Sequence, residues 1–197
     1  MKRNLFLMLS SILLLLASCK KDDEKTAATG IEGTYKLQSL SAQTNSTIVG
    51  TDGEKEITTA DYTSMNNAGT IVIDESNFKA SGLSYEVNST ALASFYQDNQ
   101  FVDSFSMPFN VVIPATNSTA PYKLIGTDSI YFQNGSLTSG ITADGSIQTG
   151  GNGGRYTVSG NLLTLKQGAS RDSSFQISGV TFNMVETVNA TIILEKQ

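Results

Sequence analysis

The chain has 197 residues, 39 % of them apolar and 16 % charged, with a formal net charge of −5 at pH 7, no histidine, no tryptophan and one cysteine. That size suits one domain with its own core, and a single cysteine excludes an intrachain disulfide. The acidic balance argues against nucleic acid, which asks for a basic face. The lack of histidine removes the usual general base, the histidine-assisted nucleophile and the commonest metal ligand.

Residues 1–18 read as a lipoprotein signal peptide. Lys2 and Arg3 give a positive start, and Leu5 to Ala17 is an apolar run broken only by Ser10 and Ser11. A spanning helix needs about 20 apolar residues, so this shorter run is a signal core. Leu16-Ala17-Ser18-Cys19 closes it. Small residues at 17 and 18 admit an extended chain to a peptidase cleft, and the Cys19 thiolate can be alkylated by a lipid before cleavage frees its amine. The four positions resemble the lipobox of bacterial lipoproteins. That resemblance implies palmitate-type acyl chains on Cys19 and no thiol left for catalysis. An ordinary secretory signal with a chance cysteine is the alternative.

Residues 19–30 read as a lipidated tether. Removing Lys2 and Arg3 leaves 11 basic against 18 acidic side chains, which offers no electrostatic grip on anionic lipid. The acyl chains must hold the membrane alone. One chain binds marginally, at about 0.8 kcal/mol per buried methylene, but two or three suffice. Lysine at 20 means that the aspartate holding enteric lipoproteins at the inner membrane is absent. The cluster Lys21-Asp22-Asp23-Glu24 resembles the surface-export signal of Bacteroidetes lipoproteins, which places the expected location on the outer membrane, facing the cell exterior. A solvated linker is the competing reading. Lys20 to Gly30 is nearly free of apolar residues, and a flexible segment of that length reaches roughly 18 Å.

From residue 31 to 197 the dominant period is two. Tyr35 and Leu37 alternate with Lys36 and Gln38, and Tyr156 and Val158 with Thr157 and Ser159. Leu163 and Leu165 alternate with Thr164 and Lys166. Val180, Phe182 and Met184 share one face, and Ala190, Ile192 and Leu194 share another. Such alternation means strands with one wet face, hence an antiparallel sheet. Further strands are expected at Glu54–Thr59, Gly69–Asp74, Asn77–Val87, Phe101–Ile113 and Tyr122–Gln133, the last split at Gly126-Thr127-Asp128. Ser159-Gly160-Asn161 is expected as a hairpin turn, and Thr187-Val188-Asn189 as the link between the last two strands. The fold expected is all-β: an antiparallel meander of about eight to ten strands. Closing it into a barrel would abolish its edges; a two-sheet sandwich is the competing solution.

Two stretches break the period. Asn88-Ser89-Thr90 offers N-cap side chains, and Leu92, Phe95 and Tyr96 fall at i, i+3 and i+4, predicting one short helix that plugs an end of the core or lids a cavity. Gly135 to Gly154 holds seven glycines without the strand-to-helix context or lysine of a phosphate-binding loop, and reads as a surface loop.

Gly33-Thr34-Tyr35-Lys36-Leu37 resembles the opening strand of lipocalin-like proteins, whose hallmark is Gly-x-Trp. Gly154 to Leu165 is similar to a hairpin near the end of lipocalin-like domains from Bacteroidetes, and Ala190 to Lys196 to their closing strand. The resemblance implies a closed meander barrel, often with an internal cavity. Two departures stand out. Tyr35 takes the place of the tryptophan that plugs the barrel floor, and Lys196, not arginine, is the cation of the closing strand.

Catalysis is not expected. Asp52-Gly53 and Asp144-Gly145 lack the alternate acids of a calcium loop and read as turns. Glu186 is the best carboxylate for acid–base work, as it continues the row Val180, Phe182, Met184, unless that row ends at a wet rim. Arg155 and Arg171 both read as residues beside turns, so a ligand carboxylate lacks a buried partner. Sugar stacking would have to use tyrosine. The reading is a non-enzymatic module without cofactor or metal, binding a small uncharged apolar ligand or a partner protein. Its possible lining is Tyr35, Leu37, Tyr156, Val158, Phe182, Met184, Ile192 and Leu194. The alternatives are a structural surface lipoprotein with a filled core, and a glycan-binding module.

Overall fold

The computed structural model describes residues 30–133 and 152–197. Eight strands make up the described part of the 31–197 unit: β1 (Gly33–Gly50), β2 (Glu54–Ile73), β3 (Asn77–Gln97), β4 (Gln100–Ile125), β5 (Ser129–Phe132), β6 (Asn152–Ser159), β7 (Leu162–Ile177) and β8 (Val180–Lys196). All neighbouring strands pair antiparallel in chain order, and β8 pairs back onto β1, so one ring-like sheet results. The β1–β8 seam joins Leu37 to Leu194 and Leu40 to Ile192. Residues more than 150 apart in sequence meet there.

The ring is uneven in height. β5 and β6 are short and pair with each other, and they reach no further than Tyr122–Ile125 of β4 and Leu162–Gln167 of β7. Beyond those stretches no ladder joins β4 to β7 among the described residues. There the sheet has six strands, in the order β4-β3-β2-β1-β8-β7. The two ends can be called lower, with the complete circuit, and upper, where the turns Thr51–Gly53, Asp98-Asn99 and Ser178-Gly179 lie. Pro108 and Pro114 fall in the part of β4 that has a ladder on one side only, where a missing N–H costs least.

The lower end holds the core. Phe78 and Phe132 are fully buried with ring centroids 5.2 Å apart, and Tyr122 meets Phe78 edge-on at 4.9 Å. Ile71, Ile130, Leu163, Leu165 and Leu194 complete the filling. Ile31 is also sealed, and the Tyr35 hydroxyl donates to its carbonyl at 2.8 Å. The Lys196 ammonium stands 5.8 Å from the Tyr35 ring centre and donates to the Glu32 carbonyl.

Bulges reset which residues face the core. A register shift between Leu37 and Ser39 moves the buried row of β1 from Tyr35 and Leu37 to Leu40 and Ala42. In β2, Asn66 has a left-handed φ of 53°, and Gly69 packs against Gly82 so closely that a Cβ would lie 2.6 Å from its carbonyl carbon. Such insertions bend a strand and raise its twist.

Four expectations change. No helix exists among the described residues. Asn88 to Tyr96 belongs to β3, with Ala91 and Ala93 buried and Leu92 facing out. All of it pairs with β4 and Ala91 to Tyr96 pairs with β2 as well, and that ladder outweighs a local helical stripe. Thr187-Val188-Asn189 is no turn, because β8 runs unbroken and Ser178-Gly179 makes the hairpin. The segments expected at 54–59 and 69–74 are one strand, as are those at 101–113 and 122–125. Of the glycine-rich stretch, 134–151 lies outside the described residues; Asn152 to Gly154 opens β6, where a Cβ on Gly154 would strike the Lys166 carbonyl. The turns at 126–128 and 160–161 stand where the sequence placed them.

Burial raises the phenol pKa of Tyr62 and Tyr122 to about 12, and moves those of Tyr85 and Tyr35 upward as well. The folded state therefore holds these protons more tightly than the unfolded chain, whose value is 10.0. This contribution to stability is full below pH 10.0 and is lost as pH rises toward about 12. Alkaline titration followed by far-ultraviolet circular dichroism should show unfolding in that window, with phenolate absorbance rising in the same transition. Phenolate formation well before any loss of structure would show that the tyrosines are not sealed.

Candidate functional site

Above the core, the core-side face of the six-stranded part can be followed row by row. The first row runs Gln167, Ala190, Ala42, Tyr62 across β7, β8, β1 and β2. Its members are buried, and the Gln167 amide finds no hydrogen-bond partner among the described residues. Next come Ala169, Val188, Thr44, Ala60, Ala91 and Met107, then Arg171, Glu186, Ser46, Thr58, Ala93 and Phe105. Small side chains dominate these rows.

Glu186 is part of that face, and its row continues on both sides of it. It stands opposite Arg171, whose Nη1 lies 4.0 Å from its Oε2. Arg171 is thus a mid-strand residue on the core-side face, not a residue beside a turn. Arg155 lies in β6 and pairs with Asp128 near the lower turn.

The upper rows turn aromatic and acidic together. Met184, Ile48, Glu56 and Phe95 form one row, and Phe182 lies one step beyond, opposite Gly50. Phe175 stacks on Phe182 at 5.4 Å, and Phe105 on Phe95 at 5.4 Å. A cavity of about 330 Å³ opens here, walled by Ile48, Phe95, Val102 and Phe182, with Glu54, Lys55, Glu56, Tyr96 and Gln97 around it. Thr58 Oγ1 donates to Glu56 Oε1 at 2.9 Å, and Lys55 lies over the Tyr96 ring. A second concavity, about 790 Å³, sits at mid-height. Its polar lining, such as Ser41, Gln43, Thr63, Lys166 and Asn189, alternates with the buried Ala42, Tyr62, Gln167 and Ala190. By strand alternation it lies on the wet face.

The residues expected to line a cavity divide between two places. Tyr35, Leu37, Tyr156, Ile192 and Leu194 are buried in the lower core. Phe182 and Met184 are half-buried at the upper end, and of these Phe182 borders the 330 Å³ cavity. Val158 is 48 % exposed near the foot of β6. Leu16, Ala17, Ser18, Cys19 and Lys21, Asp22, Asp23, Glu24 lie outside the described residues. Ile48, Glu54, Glu56 and Phe95 were not singled out for the cavity. The usable signal was Ala91, Ala93 and Phe95 at period two; that Glu54 and Glu56 stand beside them follows only from the β2–β3 register.

Among the described residues no helix is long and apolar enough to cross a membrane, and no group of three or more acidic or cysteine side chains could hold a metal ion. The fold and its upper concavity define an all-β protein on a single ring-like sheet. No family model matches the chain, and no match was found among curated proteins or solved structures.

Proposed function

We propose that the chain is a lipid-anchored, non-enzymatic binding protein of the outer membrane with a lipocalin-like domain. Acyl chains on Cys19 attach it, Lys21-Asp22-Asp23-Glu24 directs it to the cell exterior, and the upper concavity takes a small apolar ligand or an apolar segment of a partner protein. The observation that carries this reading is the upper half of the sheet. Its core-side face has aromatic rows without a second layer over them, and Phe105 remains 50 % exposed and Phe175 37 %. Exposed aromatic side chains around a concavity mark an interaction site. The Tyr35–Lys196 contact supports the lipocalin-like assignment, since it sets a cation over an aromatic ring where the resemblance implies an arginine on a tryptophan.

The filled lower core supports a second reading, a structural surface lipoprotein. Native mass spectrometry of the purified full-length protein separates the two. The binding reading expects a co-purified molecule, lost on Phe95→Ala; a bare mass with no adduct from cell extract favours the structural one. For the location, alanine at positions 21–24 should leave acylation intact and make the protein resistant to protease added to whole cells. Equal digestion of both forms would reduce the cluster to a linker.

A further inference from the structure

We infer that the 330 Å³ cavity at the upper end is a site for an organic cation, a protonated amine carried on an apolar body. The inference rests on the binding reading above and narrows it, replacing the uncharged ligand expected from the sequence. Ile48, Phe95, Val102 and Phe182 supply the apolar wall, and the volume lies at the small end of the usual range for ligand sites, about 300–1,000 Å³. Glu54 and Glu56 are two apart on β2, so both point to the face that carries Phe95 and Ile48.

Charge decides the ligand class. Asp52 and Asp98 occupy the adjoining turns, and Asp103 is paired with Phe95 across β3 and β4. Against these five carboxylates the described residues at the same end of the sheet offer one ammonium, Lys55. That ammonium lies 5.2 Å from the centre of the Tyr96 ring, and no ion pair joins it to Glu54 or Glu56 among the described residues. Arg171 sits a row further down, beside Glu186. An anionic ligand would enter against the field of the acids, and a neutral one would leave two carboxylates uncompensated beside an apolar wall. An ammonium gains both a carboxylate partner and the faces of Phe95 and Phe182.

The test uses the purified full-length protein and three probes with the same chain: octylammonium, octanol and octanoate, measured by calorimetry at low salt. Octylammonium should bind about tenfold more tightly than octanol, with octanoate weakest, and high salt should shrink the preference. Glu56→Gln keeps the Thr58 acceptor and should weaken the amine about tenfold while leaving octanol unchanged; Glu54→Gln should act in the same direction. Retained octanol binding shows that each variant is folded. Equal affinity for amine and alcohol would overturn the cation assignment and leave the binding reading standing. Absence of binding by all three probes would overturn the site itself, as would an unchanged amine affinity in both variants.

Discussion

Deleting Ala190 to Gln197 is expected to unfold the domain or drive it to aggregate. Those residues pair with β1 on one side and β7 on the other, through Ala42, Leu40 and Leu37 and through Gln167, Leu165 and Leu163. Their removal strips two ladders at once and leaves two unpaired edges at the lower end. It also takes Ile192 and Leu194, both sealed in the core, and side chains of that size contribute about 1.5–3 kcal/mol each. The same cut exposes what they covered, including Leu163, Leu165 and Tyr35. The total is comparable with a domain's whole stability of about 5–15 kcal/mol, and bare edges beside an apolar stripe template aggregation. Leu194→Ala provides the contrast. It leaves both ladders in place and should cost about 2–5 kcal/mol, a lowered melting temperature without loss of the fold. Thermal unfolding by circular dichroism with size-exclusion chromatography reads both. A truncated chain that stays monomeric and melts close to the intact one would mean that the β1–β8 seam does not hold the ring.

The lower end was legible because each of its strands has one dry face. Tyr35 and Leu37, Leu163 and Leu165, and Ile192 and Leu194 announce that face by strict alternation, and all six are buried. The upper half lacks this contrast. With no layer packed over its core-side face, small and polar residues such as Thr44, Ser46 and Ser173 sit where a filled barrel would need apolar ones. Leu92, Phe95 and Tyr96 then read as a helical stripe, and Val188 between a threonine and an asparagine reads as a turn. Bulges hide more. After the shift at Leu37/Ser39 the inward parity of β1 changes, so counting on from Tyr35 assigns Ile48 to the wrong face. Glu56 was unreadable as a cavity residue for a further reason: its neighbours Ile48 and Phe95 come from strands whose register no local pattern fixes.

Replacing Cys19 by serine should abolish anchoring by acyl chains, a change in behaviour that no core substitution would give. The proposed attachment needs a thioether, and a serine hydroxyl, with a far higher pKa than a thiol at about 8.5, supplies no comparable nucleophile near neutral pH. Without the first acyl group the lipid-dependent peptidase has no substrate, so the apolar run from Leu5 to Ala17 stays attached. The rest of the chain offers no substitute hold, since its net charge is negative and Cys19 is its single cysteine. Labelled palmitate should enter the wild type and be absent from the Cys19→Ser protein. The variant should also migrate as the longer precursor and, once freed of its signal segment by an engineered cleavage, remain in the soluble fraction. The core of the unit from Ile31 onward is built from Ile31 and later residues, so the variant's thermal unfolding should match that of the wild type. Equal labelling of the two proteins would sink the lipoprotein assignment, and with it the proposed location.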